Sequence, residues 1–156
     1  MNDTQLVLDK TQELLDQLGC EAQPSVEFES ETGYYQIQLD TESPGLLIGY
    51  RGETLTALQL YLGLLVNQNQ AKSSEEADWK KVVVNVGDYR QRREETLTQL
   101  AKNAAQRVVF SGEPYVFDRL SPNERRIVHL ALKDNDKVST YSEGEGKYRK
   151  LIVVLK

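Results

Sequence analysis

The chain has 156 residues, 39% apolar and 28% charged, with ten glycines and four prolines; this composition supports a packed core and excludes wholesale disorder. One cysteine, Cys20, and one histidine, His129, exclude an intrachain disulfide and a zinc or haem centre built from such ligands, so no metal or cofactor is expected. The net charge of −5 hides an asymmetry, −9 over residues 1–87 and +4 over residues 88–156. A basic half points to a polyanion partner, against the plainer alternative of two independently soluble surfaces.

The N-terminus, MNDTQLVLDK, is acidic and amphipathic, unlike a signal peptide. The longest apolar stretch, Leu58 to Val66, is interrupted by Gln59 and falls far short of the ~18 residues needed to span a bilayer. A soluble cytoplasmic protein with no membrane insertion is expected. Residues 3–18 read as a helix, with Val7, Thr11, Leu14 and Leu18 on one face and Gly19 as its stop. Ser25 to Ser30 and Tyr34 to Leu39 alternate as strands about a Thr32-Gly33 turn, with Val26, Phe28, Tyr35, Ile37 and Leu39 as one set. Ser43-Pro44 starts a short helical turn. Glu53 to Asn67 forms a further helix with Leu55, Leu58, Leu62 and Leu65 inward. The polar stretch 67–78 reads as a solvated loop, and Val82, Val84 and Val86 mark a third strand.

The chain divides near residue 87, into domains 1–87 and 88–156. Tyr89 to Val109 is a long helix whose inner stripe includes Leu97, Leu100, Ala101, Ala104 and Val108, broken at Gly112 and Pro114. Tyr115 to Phe117 is a short strand. Ser121-Pro122, with Glu124 completing a capping box, opens a helix that runs to about Lys133. Val138 to Ser142 and Tyr148 to Leu155 form a hairpin around Gly144-Glu145-Gly146, its second strand apolar enough to be central and covered on both faces.

Leu47-Ile48-Gly49-Tyr50-Arg51-Gly52 joins two helices through a Gly-x-x-Gly loop. Paired glycines admit a phosphodiester close to the backbone, the next helix offers its first amides to phosphate oxygens, and Arg51 adds a charge-assisted donor. Alone, the spacing also suits any tight helix–helix turn. Within an α-β-β-α-α-β order, it resembles the type II KH fold, whose modules hold single-stranded RNA against such a loop. Ile48, Gly49, Tyr50, Arg51 and Gly52 are then the candidate RNA contacts. There is no G-x-G-x-x-G, and Gly144-Glu145-Gly146-Lys147 lacks the upstream glycine and the Ser/Thr of a nucleotide loop.

In Asn123-Glu124-Arg125-Arg126-Ile127-Val128-His129, Arg125 and His129 are four apart and share a helix face. Such a pair can hold a phosphate and stack on or hydrogen-bond a base; the alternative is an ordinary amphipathic helix with a surface histidine. Arg-x-x-x-His after a long basic helix and before a hairpin resembles the R-three-H domain family, here in the order α-β-α-β-β. Arg126 and the long-helix residues Arg90 and Arg93 supply further cations. KH followed by R-three-H resembles the bacterial Jag (SpoIIIJ-associated) family over about residues 24–156.

That resemblance implies an α/β (α+β) RNA-binding regulator, post-transcriptional or of cell elongation and division, that binds single-stranded RNA without catalysis, single-stranded DNA remaining open. It also implies association through the KH domain, as a homodimer or with a small single-KH protein. Only one helix precedes the KH strands, so the family's N-terminal domain and charged linker are expected to be absent, and its envelope links are not expected to carry over. Phe117-Asp118-Arg119-Leu120 also departs from the usual aliphatic-Glu-Pro-Met run. A nuclease reading would need a second acid or base near Arg125 and His129, and no carboxylate pair stands at suitable spacing. The alternative function is a protein–protein module that dimerises through the KH domain with little direct nucleic-acid binding.

Overall fold

The computed structural model describes residues 3–68 and 79–156, and the chain separates into two compact units, Met1–Arg90 and Gln91–Lys156. The first contains α1 (Asp3–Leu18), β1 (Gln23–Glu29), β2 (Tyr34–Asp40), α2 (Pro44–Ile48), α3 (Glu53–Asn67) and β3 (Lys81–Val86), in the expected α-β-β-α-α-β order. The sheet runs β1-β2-β3, with β1 antiparallel to β2 and β2 parallel to β3. A parallel pair needs a crossover, and α2 with α3 provides it. Tyr35, Ile37 and Leu39 of β2 and Val82, Val84 and Val86 of β3 bury one face against Val7, Leu14 and Leu15 of α1 and Leu55, Leu58 and Leu62 of α3.

Several expectations shift by local geometry. Phe28 lies on the inward set but is half-exposed, because β1 is an edge strand; its ring still meets Tyr35 at 4.9 Å between centroids. Leu18, in the last turn of α1, is exposed rather than inward. The β1–β2 turn spans Ser30 to Gly33 and is closed by the Gly33 N–H donating to the Glu29 carbonyl at 2.8 Å. In α3, Leu65 is only partly buried and Val66 takes the inner position. Of the expected solvated loop, residues 69–78 lie outside the described residues.

The second unit holds most of α4 (Tyr89–Ser111), then β4 (Tyr115–Phe117), α5 (Pro122–Leu132), β5 (Val138–Glu143) and β6 (Lys150–Leu155). β6 is central in an antiparallel sheet ordered β4-β6-β5. Leu97, Ala101, Ala104, Ala105 and Val108 of α4 pack with Phe117, Leu120, Val128, Leu132, Val138, Leu151 and Val153. Leu100 lies off this stripe and is exposed; Ala105 takes the inner place expected of it. Leu151, Ile152 and Val153 are all buried, but only Leu151 and Val153 join the helix-packed core. Ile152 sits in register between the half-exposed Val116 and Tyr141 on the opposite face, so the strand is not helix-covered on both sides. The hairpin connection is also longer than expected: Glu143 pairs with Lys150, leaving residues 144–149 outside the ladder, including a 3-10 turn at Gly146–Tyr148. Among the described residues no helix is long and apolar enough to cross a membrane.

Asn67, expected at the mouth of a solvated loop, is fully buried. Its Nδ2 donates to the Gly63 carbonyl at 2.7 Å and the Lys80 carbonyl at 2.8 Å, and its Oδ1 accepts the Lys80 N–H at 2.8 Å. One side chain therefore satisfies both backbone groups at the entry to β3. Asn67→Ala strands them, and a loss of about 2–4 kcal/mol is expected. Urea unfolding followed by the fluorescence of Trp79, the chain's single tryptophan, measures it; a loss below about 1 kcal/mol means that solvent can replace the amide.

Candidate nucleic-acid interface

Helix α2 closes where the Gly49 N–H donates to the Gly45 carbonyl at 2.9 Å. Gly49 then adopts φ 69°, ψ −169°, a region essentially reserved for glycine, and a Cβ there would collide with the Thr54 hydroxyl. Gly52 (φ 83°, ψ 12°) ends the turn against the Tyr89 ring and caps α3. Between them the chain makes a 3-10 turn that leaves Tyr50, 60% exposed, and Arg51 in solvent, the guanidinium 5.0 Å from the Tyr50 ring centroid. Ile48 is partly buried against the core and anchors the loop's near side.

Arg51 is left-handed at φ 52°. For a residue other than glycine, asparagine or aspartate this costs about 1–2 kcal/mol. Among the described residues one other non-glycine shares this backbone, Arg119 at φ 56°, in the segment that leads into α5. Glu53 occupies the first turn of α3, where its carboxylate already meets the helix dipole. Attraction for an anion at this loop therefore falls chiefly to Arg51.

Three of the expected cations, Arg90, Arg93 and Arg125, donate to acceptors within the fold. Arg90 donates from Nε and Nη2 to the Val84 carbonyl at 3.1 and 3.0 Å, and from Nη2 to Gln59 Oε1 at 2.7 Å. Gln59 Oε1 also accepts the Val84 N–H at 3.1 Å, so the two side chains complete the outer edge of β3 at Val84. Burial lowers the pKa of Arg90, with a smaller opposing push from Tyr89; a guanidinium is basic enough to stay charged at neutral pH regardless. Arg93 donates from Nε and Nη2 to Glu124 Oε1, both at 2.8 Å, while Glu124 Oε2 accepts the Ser121 N–H at 2.8 Å. With Ser121 Oγ accepting the Glu124 N–H at 3.2 Å, the expected capping box is formed.

On α5, Arg125 is partly buried and donates from Nη1 to the Leu120 carbonyl at 2.7 Å and, at a longer 3.4 Å, to the Arg149 carbonyl. One turn on, His129 is exposed, its Nδ1 2.6 Å from Thr140 Oγ1 on β5. The hydroxyl can donate or accept, so this bond serves either ring tautomer. Arg126 is exposed. The structure thus brings Arg125 and His129 together against the β5–β6 hairpin, keeps Tyr50, Arg51 and Arg126 in solvent, and commits Arg90 and Arg93 to internal bonds. Sequence reasoning missed Thr140 and Arg119. Thr140 has no local signature, since it is defined by a partner on another element, and the backbone of Arg119 leaves no mark in residue type.

Comparison with known proteins gives concordant matches. Residues 5–76 match the KH domain of the KhpA/KhpB family, and residues 95–155 match the R-three-H domain. The proteins called RNA-binding protein KhpB in Clostridium symbiosum and Lactiplantibacillus plantarum are each 34% identical, over 93% and 90% of this chain and 63% and 41% of their own length. The Bacillus subtilis protein of that name is 36% identical over 72% of this chain and 52% of its own length. The chain therefore spans about half the length of the curated relatives it matches. By these matches the chain carries a KH domain of the KhpA/KhpB type followed by an R-three-H domain.

Proposed function

We propose that this chain binds single-stranded RNA through the Gly49–Gly52 loop and the Arg125/His129 face of α5, as a regulator acting after transcription or on cell elongation and division, and without catalysis. The observation that carries the reading is the loop itself. Gly49 cannot accept a side chain, while Arg51 keeps one where the backbone favours glycine, beside an exposed Tyr50. A cation and a ring held outward on a strained turn have no role in the core, and they match what an unpaired nucleotide offers, a phosphate and a π-face. The preference for RNA over single-stranded DNA rests on the relatives' names, because no residue here is seen to read a 2′-hydroxyl.

Fluorescence anisotropy with a short oligoribonucleotide over a salt series tests it. The wild-type protein should show log K falling linearly with log salt. Replacing Tyr50 and Arg51 together by Asp should weaken binding by about 1–3 kcal/mol with stability within about 0.5 kcal/mol of wild type, since aspartate tolerates the left-handed backbone. Gly49→Ala should instead destabilise the fold by about 2–4 kcal/mol. Unchanged affinity in the folded double variant removes the loop from the site.

A second reading draws on α3. Ala57, Leu60, Tyr61 and Leu64, spaced i, i+3, i+4, i+7, form an exposed stripe that leaves the helix apolar on two faces. This favours KH–KH association, with a second copy or a small single-KH protein, alongside RNA binding. Sedimentation at tens of micromolar should show a dimer that Leu60→Glu dissociates; a clean monomer eliminates self-association.

A further inference from the structure

Residues 144–149 link β5 to β6. A two-residue turn suffices for a hairpin, so the added length asks for a reason. The segment is internally braced: the Tyr148 N–H donates to the Glu145 carbonyl at 3.1 Å and the Arg149 N–H to the Gly146 carbonyl at 3.3 Å. Gly144, at φ 90°, lets the chain fold back so closely that a Cβ would lie 3.1 Å from the Tyr148 carbonyl oxygen. From this frame Tyr148 projects 74% exposed, with Lys147 Nζ 5.2 Å from its ring centroid and Arg149 and Lys150 following it in sequence. The same local device, an exposed tyrosine with an adjacent cation near its ring, occurs in the Gly49–Gly52 loop with Tyr50 and Arg51. The braced turn is also attached to the Arg-x-x-x-His helix, because Arg125 Nη1 bonds both the Leu120 carbonyl and the Arg149 carbonyl.

We propose that Tyr148 is a base-stacking residue of the second unit, presenting its ring to an unpaired nucleobase, and that Arg125 is a positioning residue that holds the Tyr148 loop against α5. The proposal rests on the reading that this unit binds single-stranded nucleic acid and names how a base, as opposed to the phosphate chain, is held there. A lone exposed aromatic is ordinary on a protein surface. Here the ring stands on a segment with little freedom to lose, so stacking costs little ordering entropy. Lys147 adds a cation beside the ring for the neighbouring phosphate.

The test compares a short oligouridylate with the same ribose-phosphate strand lacking one central run of bases, using the full chain. Wild type should prefer the intact strand, and Tyr148→Ala should lose on the order of tenfold in affinity for it while binding the abasic strand and following salt as wild type does. Tyr148→Phe should retain the preference, since the ring and not the hydroxyl carries it. Arg125→Lys keeps the charge on a shorter side chain with a differently shaped head, and so weakens the two bonds that Nη1 makes to the Leu120 and Arg149 carbonyls. It should reduce the base preference with little change in salt slope, and in a double-mutant cycle with Tyr148→Ala the two effects on base preference should not add. Wild-type affinity and base preference in a folded Tyr148→Ala protein overturn the proposal while leaving RNA binding intact. Additive effects with Arg125→Lys overturn the positioning role. Absence of any salt-dependent binding by wild type overturns the RNA reading itself, and this proposal with it.

Discussion

The carboxylate of Glu124 fixes where helix α5 begins, and with it the direction in which every candidate ligand group of that helix points. One oxygen holds the Ser121 N–H of the capping box; the other takes both donors offered by Arg93 from α4. Removing a carboxylate and a guanidinium from water costs several kcal/mol, which their attraction offsets only in good geometry; here both oxygens of Glu124 accept bonds. The helix start is therefore set by interactions from its own turn and from a second helix, with no freedom to slide. Arg125 follows directly on Glu124 and reaches the Leu120 carbonyl; His129 follows one turn later and meets Thr140. The Arg125–His129 geometry is thus inherited from a carboxylate that does not itself face a ligand.

The same division of labour runs through the chain's arginines. Arg90 and Arg93 commit their donors to Val84, Gln59 and Glu124, and Lys150 lies 3.0 Å from Asp118. Counting charges over residues 88–156 consequently overstates what is available to a polyanion. Around the candidate sites Arg51, Arg126, Lys147 and Arg149 are exposed, and they stand on structured turns or on α5. In the acidic first unit the surrounding field opposes an anion, and screening over about 8 Å at physiological salt confines any attraction to the loop itself. Under the proposed reading, close contact with a backbone that can approach a phosphate is then worth more than net charge, and the glycines would provide it.

Features defined within one turn were legible in the sequence. The Ser121/Glu124 box, the Gly49/Gly52 pair, the Arg125/His129 spacing and the Leu97–Ala101–Ala104–Val108 stripe each depend on residues within a turn or a helical repeat of one another. What was not legible depends on partners far away in sequence. Arg93 reads as one more surface cation until Glu124, 31 residues on, is placed beside it. Asn67 reads as a loop residue because its partner, Lys80, lies across the polar segment. Phe28 carries the pattern of an inward residue, but alternation cannot tell an edge strand from a central one. Leu100 fails for a finer reason: a stripe on a long helix drifts with the 3.6-residue period, and a leucine just off the line fits the pattern more visibly than the smaller Ala105 that fills the place.

Stacking on a tyrosine and pairing with a nearby cation is a mode of recognition indifferent to base identity, because every base has a π-face and every nucleotide a phosphate. Two such devices on one chain, at Tyr50/Arg51 and Tyr148/Lys147, need not each bind tightly. If, as proposed, each device binds a nucleotide, a strand held by one meets the other at an effective concentration set by the chain that joins them. Each device is then free to sit on a strained or elongated turn whose own stability contribution is small. The packing that holds the molecule together lies elsewhere, in the two apolar cores and in the internal bonds of Asn67, Arg90 and Glu124.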